Sequence, residues 1–341
     1  LSLFSLSILM EFIFQKNQGG LDFINKLCIG MIIVLYVLIA IYPQGPQYRY
    51  PGIDSVTYMY ISRGLLNGEI PYRDNWDNKG PFLYLIDAVG LAFGIEEWGV
   101  WVIEVIFLIA SCVLMVKLLK QRAGYLVLTI LLLFYTRSFT YRLEGGNFTE
   151  EYAAFFYLLN IYLFWKYVGD AQERSSQRYL FFMGVVTAFC ILLRPNLISS
   201  SVAIVLMILV QGILGKNFQS ALKNLCILFI GFLVIFGLFC GFFIAHGSLH
   251  DFLDAVFYYN FFYTDTPKQN ALENLAQAFK LYPLELHAAS ISALVIIIYL
   301  ILRRKKVKPG YFSLVGVIIS GFLVELFLFN LSGRGYFHYY L

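Results

Sequence analysis

Nine apolar stretches, each near the length of a bilayer-crossing helix, recur along this chain of 341 residues. A spanning helix needs about 20 predominantly apolar residues. Windows of that kind fall at 24–42, 98–118, 125–140, 152–167, 179–193, 197–214, 225–245, 288–302 and 311–331. Composition agrees: 60% of residues are hydrophobic, 18% aromatic and only 13% charged. A soluble domain carries about 25% charged residues, so no water-soluble core could hide this much apolar surface. Disorder, a disulfide scaffold and nucleic-acid binding are excluded at this step. The expectation is an all-α polytopic membrane protein of about nine transmembrane helices, forming one domain over 1–341.

The loops give its sidedness. Lys117, Lys120 and Arg122, then Lys166, Arg174 and Arg178, then Lys216 and Lys223, then Arg303, Arg304, Lys305, Lys306 and Lys308 fall on one side. By the positive-inside rule that side is cytoplasmic. The first loop with its juxtamembrane helices (43–97), residues 142–151 and the long loop 246–285 are then extracytoplasmic. The apolar segment 81–94 is too short to cross and contains Asp87, so a re-entrant or juxtamembrane helix is expected there. Leu272, Leu275, Ala276 and Phe279 at helical spacing suggest a helix on the outer surface, either against lipid or as a lid on the bundle. The chain starts at Leu1 and stops within aromatic sequence at Leu341, so both ends read as fragment boundaries. The five cysteines lie in apolar runs without metal-ligand spacing and read as small core residues.

The first outer loop is the most informative. Pro51-Gly52 ends what precedes it, Asp54 is placed to cap a helix running to Leu66, and Asn67-Gly68 stops that helix. Pro71-Tyr72-Arg73-Asp74-Asn75-Trp76-Asp77-Asn78-Lys79-Gly80-Pro81 follows. A carboxylate at a helix N-terminus is held ionised by the dipole and the unpaired amides. Elsewhere, Arg194 and Arg334 stand at the outer ends of spans, where an arginine is costly unless paired. They are functional candidates, or else salt-bridge partners of Glu144, Glu150 or Glu151. Glu104 and Glu325 inside spans could also pair with arginines, and His338 is an interfacial histidine. The sequons at Asn147 and Asn330 are short enough to occur by chance.

The pattern of an acid just outside the first span, with a lysine before proline about 25 residues on, resembles the GT-C superfamily of integral membrane glycosyltransferases. The similar branch includes protein O-mannosyltransferases and the lipid A aminoarabinose transferase. Asp54 matches that branch's acid and Lys79-Gly80-Pro81 its lysine element. The stretch from Arg142 to Glu151 resembles the second outer loop of bacterial members, and Gly333 to Tyr340 their late Arg/His-Tyr loop. Ser55 stands where many relatives have a second acid, and Asn78 where some have a carboxylate before the lysine. A metal site of adjacent acids is therefore not expected, and Asp77 is a candidate substitute.

The resemblance implies an inverting transferase at the outer face of a bacterial plasma membrane. Its donor would be a polyprenyl-phosphate-linked sugar and its acceptor a glycan, lipid or protein, with no cofactor and no nucleic-acid partner. Asp54 would be the general base. Lys79, Arg334, Arg63 and Arg194 would stabilise the leaving phosphate, and Asp77, Glu144, Glu150 and His338 would support the acceptor. A membrane transporter or flippase for a lipid-linked or small polar substrate is the alternative. It is disfavoured because no internal repeat is visible and the polar residues gather at the outer surface.

Overall fold

In lipid a backbone must satisfy its own hydrogen bonds, so apolar runs of this length fold as helices. The computed structural model describes residues 22–47, 52–119, 125–142, 146–169, 173–264, 283–303 and 309–331, with scattered positions between 273 and 280. Among these the regular elements are helical. In chain order they are α1 (Asp22–Ile41), α2 (Ile53–Leu66), α3 (Pro81–Leu91), α4 (Glu97–Leu119), α5 (Tyr125–Arg142), α6 (Thr149–Gly169) and α7 (Glu173–Leu193). There follow α8 (Ser199–Leu214), α9 (Phe218–Ala245), α10 (Leu249–Leu253), a π-helical turn (Asp254–Tyr258), α11 (Tyr259–Thr264), α12 (Pro283–Arg303) and α13 (Pro309–Leu331).

Every one of the nine apolar stretches coincides with a helix: α1, α4 to α9, α12 and α13. Among the described residues four helices are long and apolar enough to cross a bilayer, within Glu97–Leu119, Ser176–Leu193, Phe218–Ala245 and Gly310–Leu328. Lipid is the solvent that suits them. Only 17% of the apolar window of α9 is buried within the protein. Phe229, Ile230, Leu233, Val234 and Leu238 are exposed along its length. Such a helix in water would be an aggregation surface, whereas hydrocarbon matches it. The segment after Lys79 is helical as expected, and the 11 residues of α3 span about half the bilayer core. The expected surface helix around 272–279 falls mostly outside the described residues.

The chain packs as two compact units, the first comprising residues up to 63 with 86–158 and the second 64–85 with 159–340. In the first unit α1, α4 and α5 share a core. Ile33, Val37 and Ile41 from α1 meet Val105, Leu108, Cys112 and Val116 from α4 and Leu128 and Leu132 from α5. The three- and four-residue steps put each set on one helix face. A smaller cluster joins Met59 of α2, Leu91 of α3 and Val100 of α4.

In the second unit α7 and α9 pack most extensively, and two glycines set their separation. A Cβ at Gly184 would collide with the Leu228 carbonyl, and one at Gly231 with the Phe181 carbonyl. Small residues that bring backbones together are the usual means of joining helices in lipid, where no hydrophobic drive between helices exists. Polar side chains add to this inside the unit. Asn160 donates to Ser200 (3.1 Å) and Ser201 (3.2 Å), Thr187 donates to Ser201 (2.8 Å), and Gln211 donates to Ser313 (2.6 Å).

Candidate functional site

Gly52, not Asp54, caps α2: the helix begins at Ile53, with the Val56 amide bonded to the Gly52 carbonyl at 3.0 Å. A glycine following proline takes the cap and shifts Asp54 into the first turn. There its exposed carboxylate still faces the positive end of the helix dipole. The other end of α2 stops as its sequence indicates. Gly68 adopts φ +89°, its amide bonds Leu65 O (3.1 Å) and the Glu69 amide bonds Gly64 O (2.9 Å), the two bonds of a Schellman motif. Arg63, in the last turn, pairs with Glu97 at 3.5 Å. Both side chains are solvent-accessible, so this pair adds little stability.

Beyond Gly68 the outer segment belongs to the second unit. The Arg73 guanidinium donates twice to Asp74 (2.8 and 2.9 Å) and once to the His246 carbonyl at the end of α9 (3.3 Å). Asp74 also accepts from the Ile70 amide at 2.7 Å. The Arg73 bonds first, and that amide second, hold the Asp74 carboxyl down to about 2. Tyr72 has φ +71°, a conformation few bulky residues adopt. It is held there by a bond from its amide to Asn75 O (2.8 Å) and by a buried ring set among Tyr84, Phe243 and Phe252. Burial, with the Asp77 charge nearby, pushes the Tyr72 phenol well above its ordinary value, so it remains a donor.

That donor lands on Lys79. Tyr72 Oη bonds the Lys79 carbonyl at 2.7 Å, and Tyr84 Oη bonds Asp77 Oδ2 at 2.7 Å. Lys79 Nζ donates to Asn78 Oδ1 at 3.1 Å. Asn260, just past the π turn, donates to the Asn78 carbonyl at 2.8 Å. A π turn in this position is a feature that concentrates at functional sites. The Gly80 amide bonds Leu193 O at 2.9 Å. Gly80 rests so closely on the Leu192 and Leu193 backbone that any Cβ would collide. Lys79 and Arg194 are thus each one residue from the same main-chain bond. Arg194 is 8% exposed at the end of α7, where Pro195 stops the helix.

Of the residues expected from sequence, the second unit joins Asp77, Lys79 and Arg194 around one segment. Asp54, Arg63 and Glu150 belong to the first unit, Glu150 buried and accepting from the Thr149 hydroxyl at 2.8 Å. Glu144, Arg334 and His338 lie outside the described residues. Tyr72, Tyr84 and Asn260, which hold the Lys79 segment, were not legible as site residues. Tyr72 and Asn260 hold backbone carbonyls, which no side-chain pattern signals, and Asn260 lies 182 residues from Asn78.

The first unit holds three further acids that the sequence singled out one by one but did not group. Asp87 of α3, Glu104 of α4 and Glu151 of α6 are all buried. Asn147 donates to Asp87 Oδ2 at 2.8 Å and accepts from Tyr152 Oη at 2.9 Å. Its amide side chain is thereby buried and occupied, which leaves its sequon without a glycan acceptor. Glu151 Oε1 accepts from the Phe148 amide at 3.0 Å, half of a capping box at the start of α6. Among the described residues no group of three or more His, Cys, Asp or Glu is arranged to hold a metal ion.

The family model of the competence-induced protein Ccs4 N-terminal domain matches residues 52–340, beginning at the glycine that caps α2. The chain belongs to that family. No curated protein and no solved structure matches it significantly.

Proposed function

We propose that this member of the Ccs4 N-terminal domain family transfers a sugar from a polyprenyl-phosphate donor to an acceptor at the extracytoplasmic face of a bacterial plasma membrane crossed about nine times. The observation that carries the proposal is the Gly80–Leu193 main-chain bond, which flanks itself with Lys79 and Arg194. Two cations fixed by backbone in a partly dry setting suit a leaving phosphate, where negative charge grows as the glycosyl bond breaks. The acceptor hydroxyl attacks the anomeric carbon and its proton passes to a general base, the role that the sequence resemblance gives to Asp54. The bond to phosphate breaks with its electron pair on oxygen, giving inverted product and polyprenyl phosphate. Asp77, oriented by Tyr84, is a supporting group for the acceptor, and Arg334, by sequence, a third cation.

The test is mass spectrometry of envelope glycans in cells carrying the intact gene, an Asp54→Asn variant or no gene. One glycan is expected to lose a single sugar in the last two. An Asp54→Asn strain with an unaltered glycan profile would remove Asp54 from the chemistry. Native mass spectrometry of the purified full chain with undecaprenyl phosphate tests the cations separately. Lys79→Met and Arg194→Met are each expected to weaken the adduct about tenfold or more, as loss of a charge-assisted contact does. The buried carboxyls of the first unit favour a second reading, a proton-coupled transporter or flippase. Proton-driven lipid movement with no change in any glycan would support that one instead.

A further inference from the structure

We infer that Asp87, Glu104 and Glu151 form a proton-holding site inside the first unit, in which the three carboxyls retain at least one hydrogen ion between them at neutral pH. Three helices contribute one acid each, and exposure falls to 0% at Asp87, 7% at Glu104 and 6% at Glu151. The donors that reach them are neutral amides. Asn147 supplies its side chain to Asp87 and its backbone N–H to Glu104, and Phe148 supplies its backbone N–H to Glu151. Tyr152 Oη is spent on Asn147 Oδ1. Among the described residues the charges acting on Glu104 are those of Glu151 and Asp87, and those acting on Glu151 are Glu150 and Asp87. Buried carboxylates whose donors among the described residues are neutral repel one another, and burial penalises each charge again, so full ionisation is disfavoured on both counts.

One atom points to the ligand. Asp87 Oδ1 is buried without a hydrogen-bond partner, while the other oxygen of the same carboxyl accepts from Asn147. A proton on the trio gives such an oxygen something to donate or accept. The adjoining cavity, lined by Ile41, Glu104, Phe107, Leu108, Glu151 and Tyr152, has a volume of about 10 Å³. That is room for one water molecule at most and too little for a hydrated metal ion, whereas a hydrogen ion needs none. Burial also raises the Asp87 carboxyl to about 8, with the Asn147 bond opposing the rise in part. Nothing in this inference depends on sugar transfer.

The experiment is infrared difference spectroscopy of the full chain in lipid nanodiscs. Spectra between about pH 6 and about pH 10, a range bracketing neutral carboxyl retention, are recorded in light and heavy water. A protonated-carboxyl band is expected at neutral pH, shifting in heavy water and lost towards the alkaline end. It is expected to weaken in Asp87→Asn, Glu104→Gln or Glu151→Gln, whose carboxamides keep the shape of a protonated acid. A wild-type protein with no such band at neutral pH overturns the inference, as does a band unchanged in all three variants. Should a variant fail to fold, the wild type still decides. The raised Asp87 carboxyl makes its own contribution to stability fullest below about pH 4, the ordinary carboxylate value, and that contribution declines as pH rises through about 8. The thermal midpoint is therefore expected to fall from about pH 6 to about pH 10, and a flat profile counts against the site.

Discussion

Tyr72 shows how one side chain controls another at this site. Its phenol holds the Lys79 carbonyl, and its ring is buried among aromatics contributed by α3, α9 and α10. Tyr72→Phe keeps the ring and removes one hydrogen bond, so a stability loss of about 1 kcal/mol is expected. The undecaprenyl phosphate adduct should weaken as well, because the Lys79 backbone is less firmly held. A thermal midpoint that moves without any change in lipid binding would make Tyr72 merely structural. Asp74 offers a pH test. Its carboxyl is held down to about 2, so its contribution is present above the ordinary carboxylate range and is lost as pH falls towards 2. Asp74→Asn should therefore raise hydrogen exchange at the Ile70 amide at neutral pH, reproducing what acid does to the wild type. At this scale the sequence was half legible. Asp54, Lys79 and Asp77 stand in a compact motif that reads directly. By contrast Asp87, Glu104 and Glu151 lie scattered through apolar runs, and only three-dimensional packing brings them together.

The helices were the most readable elements, because apolar length is a property of contiguous residues. Each apolar stretch became a helix, and the Asn67-Gly68 stop of α2 is where turn chemistry puts it. The start of α2 lies two residues before the one an Asp54 cap implies, because a glycine and an aspartate both suit a cap and the chain uses the earlier. Packing between helices was not readable, since close approach depends on which glycines happen to oppose a carbonyl. Gly184→Val and Gly231→Val should each force α7 and α9 apart. A cost of about 3 kcal/mol or more is expected, measured as loss of monodisperse protein in detergent. Gly237→Ala, with open space around it, serves as the tolerated control.

The whole molecule is expected to present α9 to lipid and the Lys79 segment to the outside. A lipid-phase photoreactive probe should label Phe229, Leu233 and Leu238, which are exposed, and spare Leu228 and Phe243, which are buried. Labelling of cysteines introduced at Asn67 and Lys216 by a membrane-impermeant reagent should succeed only at Asn67 in intact cells, and the opposite result would invert the topology. The tie between Gly80 and Leu193 has a further consequence, in the order in which the molecule is made. It joins positions more than a hundred residues apart, and Asn260 must arrive later still to grip the Asn78 carbonyl. Contacts so distant along the chain form only after the intervening segments exist. A ribosome that has delivered α1 to α6 has therefore not yet supplied Leu193 or Asn260, the distant anchors of the Lys79 segment. If the proposed sugar transfer holds, the chain becomes competent for it only late in its own synthesis.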